Sequence, residues 1–134
     1  MPLQFNPNKN PRVIIIQKLY GKFFNKDQDL IFPKHRFKKF IKDVVKGTIE
    51  RKEIIEELIN KKLKSDINEN KTDLLIKLML MAAVYEFMYM HKTPIKVIIN
   101  EYVKVADFFV EGGQKSFLNA ILDKASKVSR SSNE

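Results

Sequence analysis

The chain has 134 residues, 44% of them hydrophobic and 31% charged, a balance that excludes a disordered chain and fits one globular domain over residues 1–134. It holds no cysteine, which removes disulfides, thiolate nucleophiles and cysteine metal sites together and fits a reducing compartment. The net charge of +9 leaves two readings open, a polyanionic partner or a lysine-rich surface without special role; only four cations are arginine, Arg12, Arg36, Arg51 and Arg130.

The opening Met1-Pro2-Leu3-Gln4-Phe5-Asn6 has neither the charged nor the apolar region of a secretory signal, so a cytoplasmic location is expected. Residues 1–9 read as a flexible basic arm. Asn10-Pro11 then starts a helix, with an N-cap asparagine and proline at the first helical position. Ile15, Ile16, Leu19, Tyr20 and Phe23 follow at helical spacing, with Lys18, Lys22 and Lys26 on another side. The β-branched run Val13 to Ile16 also suits a short strand, but no other segment alternates so as to pair with it.

Asn25 to Asp29 reads as a polar loop. After Pro33, Phe37, Phe40, Ile41, Val44 and Val45 form an apolar stripe that continues through Ile49, Ile54, Ile55, Leu58, Ile59 and Leu63. Gly47 interrupts it at a cost of about 1 kcal/mol against alanine, so two helices meet here or one long helix bends. Lys61, Lys62 and Lys64 suit a helix C-terminus. Ser65 to Lys71 reads as a loop, and Thr72 as the cap of the next helix.

That helix, Leu74 to about Met90, is the longest apolar stretch. Lys77 and Glu86 interrupt it, and it falls short of the roughly 20 residues of a membrane span. Apolar on almost every side, it predicts the centre of a helical bundle. Thr93-Pro94 marks another start, an N-cap threonine followed by proline, and Ile95, Ile98, Ile99, Tyr102, Ala106, Phe109 and Val110 then lie on one face; Gly112-Gly113 is expected to end it. A last helix places Phe117, Leu118, Ile121, Leu122 and Ala125 together, and 129–134 form a polar tail expected to fray. The sum is an all-α domain of about six to seven helices.

No residues assemble into catalytic chemistry. The chain lacks a phosphate-cradling glycine loop, G-x-S-x-G and H-E-x-x-H, and His35 and His91 have no ligand-like neighbours. No enzyme activity, cofactor or metal site is expected. Glu50, Glu53, Glu56 and Glu57 lie amid lysines as a solvated helix face. Glu86 differs, because a buried unpaired carboxylate is costly in so apolar a segment. Either it pairs with a lysine at the core edge or it faces a partner.

Ala83-Val84-Tyr85-Glu86, then Thr93-Pro94-Ile95-Lys96-Val97-Ile98-Ile99-Asn100-Glu101, then Lys115-Ser116-Phe117-Leu118-Asn119-Ala120-Ile121-Leu122-Asp123-Lys124, resemble the A-L-Y-E, V-P-x-K-V-x-I-N-E and H-K-F-V-N-G-V-L-D-K segments of the NusB family. Gln17-Lys18-Leu19-Tyr20 matches that family's Q-x-L-Y. The resemblance covers nearly the whole chain and is loosest from about Asn25 to Ile76.

The resemblance implies an all-helical fold of two small bundles that binds boxA RNA in the nascent transcript. The partners it implies are NusE, which is also a small ribosomal subunit protein, and the RNA polymerase antitermination complex, active in ribosomal RNA transcription. By the same resemblance, Lys9 and Arg12 correspond to the RNA-contacting arm, and Lys115 and Phe117 to the RNA-proximal start of the last helix. For Phe117 the residues themselves equally allow a plain core position. Tyr20 and Glu86 correspond to the NusE-facing side. The chain departs from the family pattern in its arginine-poor arm, in Ser116 and Met81 where basic residues are common, and in a short Asn25 to Pro33 connection.

Two other readings remain at this level. One is a helical protein-interaction module whose basic surface is incidental. The other is a relative of the RNA-binding domain of ribosomal RNA methyltransferases, which requires a following Rossmann-type domain; the sequence stops near Asn133, so a free-standing domain is expected.

Overall fold

The computed structural model describes residues 9–64, 73–110 and 112–130, and these contain six helices and no strand. The helices are α1 (Pro11–Phe24), α2 (Lys38–Glu50), α3 (Lys52–Lys62), α4 (Leu74–Tyr89), α5 (Ile95–Phe109) and α6 (Gly113–Ser129).

Helix α1 starts as its sequence dictates. The Asn10 side chain accepts from the backbone N–H groups of Arg12 (2.9 Å) and Val13 (3.3 Å), satisfying two donors that the first turn leaves orphaned. The run Val13 to Ile16 is helical and buried. Its burial outweighs the weak β-preference of branched side chains.

The second stripe divides at Arg51, four residues after Gly47. Two helices meet, but the glycine is not the joint. Gly47 lies inside α2, where a Cβ would overlap the ring of Tyr85 on α4. It serves close packing between helices. The connection 25–37 carries no α-helix, consistent with its short sequence.

Helix α4 is the hub and packs against each of the other helices. Helices α1, α2 and α3 group around it as one bundle, and α5 and α6 as a second; the two also touch directly, α1 against α5 and α3 against α6. The N-cap of α4 is Asp73, whose carboxylate accepts from Leu75 N–H at 2.7 Å. The expected cap Thr72 lies outside the described residues.

Two expected boundaries are corrected. The cap residue of α5 is Pro94, in extended backbone and without a side-chain bond, which leaves Thr93 one position too early to cap it. Helix α5 ends at Phe109 with Val110 as its cap, and Gly112-Gly113 instead open α6. Neither glycine has a positive φ, so the left-handed C-terminal turn that glycine favours is not formed here.

Of the expected tail, Ser129 and Arg130 belong to the packed fold, and residues 131–134 lie outside the described residues. Ser129 closes α6, its hydroxyl donating to the Ala125 carbonyl, and Arg130 is buried at 6% exposure. Its guanidinium donates to the carbonyls of Phe87 (2.9 Å), Glu86 (3.1 Å) and Met90 (3.1 Å) at the end of α4, and to that of Thr93 (2.8 Å). The Glu86 and Met90 carbonyls also accept from the backbone N–H groups of Met90 and Thr93, and one arginine fork supplies further donors to all four at once. Among the described residues, no helix is long and apolar enough to cross a membrane.

Candidate nucleic-acid and partner interface

The Glu86 carboxylate is fully buried on α4 and is met by two other helices. From α1, Arg12 donates through Nε to one carboxylate oxygen (3.0 Å) and through a terminal nitrogen to the other (2.6 Å). From α5, the Tyr102 hydroxyl donates to the first oxygen. The same guanidinium lies 4.9 Å from the Phe40 ring centre and 5.5 Å from that of Tyr102, and 4.0 Å from the Glu101 carboxylate. Forked, charge-assisted pairing of this kind is the strongest way to satisfy a buried carboxylate.

The local electrostatics follow from burial. Desolvation works against the Arg12 charge, but the Glu86 hydrogen bond and the electrostatic influence of Tyr102, Glu86 and Glu101 more than offset it, and the guanidinium holds its proton more tightly than usual. Burial first, and then the Glu86 charge, push the Tyr102 phenol well above its ordinary range.

This cluster redirects two expectations. Arg12, expected at RNA, and Glu86, expected at a protein partner, are each other's partner, at 8% and 0% exposure. Neither presents its charge to the surface. The cation that neutralises Glu86 is an arginine from α1, and not the core-edge lysine of one of its two expected alternatives. Together with Tyr102, the pair ties α1, α4 and α5 at one point.

The remaining expected residues are outside the core. Lys9 is exposed just before the Asn10 cap. Lys115 stands in the first turn of α6, its ammonium 2.8 Å from Asp107 on α5, with its side chain 37% exposed. Phe117 is 37% exposed, whereas its neighbours along the helix, Leu118, Ile121, Leu122 and Ala125, are buried. Phe117 therefore leaves the apolar face on which periodicity placed it. Tyr20 is 40% exposed and its ring centre lies 4.8 Å from that of Phe24, which in turn sits edge-on to Phe23. Phe24 is 64% exposed, and the sequence reading passed it over. Tyr102 and Arg130 were likewise missed as polar partners of α4. Among the described residues, no group of His, Cys, Asp or Glu could hold a metal ion.

Among the described residues, six helices tied by a buried ion pair, with a cation and an exposed ring at the start of α6, define an all-α domain. A family model described as the NusB family matches residues 9–127. The chain belongs to the NusB family.

It is similar to the transcription antitermination protein NusB of Caulobacter vibrioides, 33% identical over 91 residues that cover 68% of this chain and 61% of that protein. A Rickettsia bellii protein of the same description is 35% identical over 83 residues, covering 62% of this chain and 53% of that one. The matched stretch thus spans only about half to three-fifths of these curated relatives. Among solved structures, T. maritima NusB shares the fold with a TM-score of 0.74 at 24% identity, over 90% of this chain and 91% of that chain.

Proposed function

We propose that this chain acts without catalysis, as an RNA-binding transcription antitermination factor. In this reading it takes boxA-like single-stranded RNA jointly with NusE, within an RNA polymerase complex that supports ribosomal RNA transcription. The observation that carries the proposal is the start of α6, where Lys115 and the exposed Phe117 stand two residues apart in a segment that matches the family pattern. Single-stranded RNA requires cations for its phosphates and flat side chains for its bases, and this turn offers both. The exposed Lys9 adds a second cation. Arg12 supports the reading indirectly, by fixing the first turn of α1 through Glu86. Tyr20, with Phe24 beside it, forms the exposed aromatic surface assigned to the protein partner.

The test is a titration of labelled boxA-like RNA with and without the cognate NusE. Binding should be weak alone and tighter with the partner, because few cations face the RNA. With two phosphate contacts, from Lys9 and Lys115, the slope of log affinity against log salt should be about 1.4. Equal affinity for a scrambled RNA in the presence of NusE would contradict the proposal.

A further inference from the structure

A cavity of about 660 Å³ opens between the C-terminal half of α1, the α2–α3 corner and α4. Its walls are mostly apolar, with Leu19, Phe23, Ile49 and Leu78 among them. Small-molecule sites in proteins are apolar clefts of roughly 300–1,000 Å³ with a few polar groups that fix orientation. Two features supply such groups here. Thr48 stands in the lining, 1% exposed, and its hydroxyl has no hydrogen-bond partner. A buried hydroxyl without a partner is costly, and a helical threonine ordinarily bonds a carbonyl one turn back. The charged lining is one-sided, with Lys22, Lys26, Lys52 and Lys77 against the single Glu56.

We propose that this cavity binds a small amphiphile with an apolar body and one anionic head, a carboxylate or a phosphate. The body occupies the apolar walls. The head is held by the lysines, chiefly Lys26 and Lys52, since the Lys22 ammonium already donates to the Gln28 carbonyl at 2.6 Å. Thr48 offers its hydroxyl to the ligand's polar end. The cavity is built from none of Lys9, Lys115 or Phe117, so the site stands independently of the RNA reading.

The probe is anilinonaphthalene sulfonate, an anionic apolar fluorophore, displaced in turn by dodecanoate, dodecyl phosphate and neutral dodecanol. Saturable one-to-one binding is expected, with both anions displacing the probe and dodecanol far weaker. The relative strength of dodecanoate and dodecyl phosphate identifies the preferred head. Lys26→Ala with Lys52→Ala should weaken both anions by about tenfold, equivalent to roughly 1.4 kcal/mol, and leave dodecanol unchanged. Thr48→Val, which keeps the shape and removes the hydroxyl, should weaken the anions and raise the melting temperature. Met81→Trp, which fills the cavity, should abolish binding in a protein shown by circular dichroism to be folded.

Absence of saturable binding would overturn the proposal. So would equal binding of dodecanol, or anion affinity unchanged in the doubly substituted lysine variant, which is a surface change that leaves the fold intact. A doubling of mass in light scattering that Met81→Trp removes would assign the cavity to a second copy of the chain instead.

Discussion

The guanidinium of Arg12 takes both carboxylate oxygens of Glu86, 74 residues away in the chain, at 3.0 and 2.6 Å. This single contact joins the N-terminal bundle to the central helix at a point closed to solvent. Removing one member of a buried pair leaves the other charge uncompensated, at a cost of about 3–5 kcal/mol. Replacing both members with apolar groups of similar size is far milder. Arg12→Ala and Glu86→Lys should therefore each unfold the protein at lower urea by that margin. Arg12→Met with Glu86→Leu and Tyr102→Phe should be more stable than either single change. Equal stability of parent and Glu86→Lys, by urea titration, would show that Glu86 faces outward after all.

Tyr102 gives the cluster a pH signature. Burial and the Glu86 charge hold the native phenol well above the ordinary value of 10.0. In the unfolded chain the phenol loses its proton near that ordinary value, while the native protein keeps it. The contribution of Tyr102 is thus fully present below about pH 10 and is lost as pH rises toward the native value, by up to about 1.4 kcal/mol per unit. Thermal melts from pH 9 to 11 should fall more steeply for the parent than for Tyr102→Phe. The half-exposed Tyr85, also raised first by burial, contributes equally to both and cancels. Parallel curves would place the Tyr102 hydroxyl in contact with water.

Arg130 closes the C-terminus of α4 with bonds to four carbonyls. Arg130→Leu keeps much of the buried stem and removes every donor. It should cost about 1–3 kcal/mol, the range for buried polar groups left unsatisfied. Amide exchange should accelerate first for the residues that end α4 and α6. A uniform acceleration across all helices would instead indicate a general loss of packing.

Gly47 and Tyr85 should be energetically coupled. In an exposed helix, glycine to alanine adds about 1 kcal/mol of stability. Here the new Cβ must displace the Tyr85 ring, so Gly47→Ala should be neutral or destabilising in the parent. In a Tyr85→Ala background the same change should recover the ordinary gain. A double-mutant cycle measures the coupling, expected to be about 1 kcal/mol; additive changes would separate the two residues.

The local start of α1 was legible because Asn10 and Pro11 act within one turn. The central place of α4 was legible because a helix apolar on nearly every side has nowhere else to lie. The partner of Glu86 was not, since ion pairing between residues 74 apart leaves no mark in spacing. Gly47 misled for the same reason, because its cause is a ring on another helix. Gly112-Gly113 misled because glycine permits a left-handed turn without requiring one. Phe117 sits at helical spacing with Leu118 and Ile121, yet at the edge of the stripe, and periodicity alone does not separate an edge from a core. Arg130 looked like tail because its acceptors are backbone carbonyls, which every sequence has.

Under the proposed function, RNA is met at Lys9, Lys115 and Phe117, while Arg12 serves the fold through its buried pair with Glu86. The most direct measurement is boxA-like RNA affinity, with NusE present, for folded Lys9→Ala/Lys115→Ala and for Phe117→Ala. The double variant should bind every RNA more weakly, with the salt slope reduced by about 1.4 for two lost phosphate contacts. Phe117→Ala should keep the slope and lose preference for the boxA-like sequence, as stacking on one base is worth about 1–3 kcal/mol. Affinity, slope and preference all equal to the parent in both folded variants would contradict the account and move the RNA to another face of the domain.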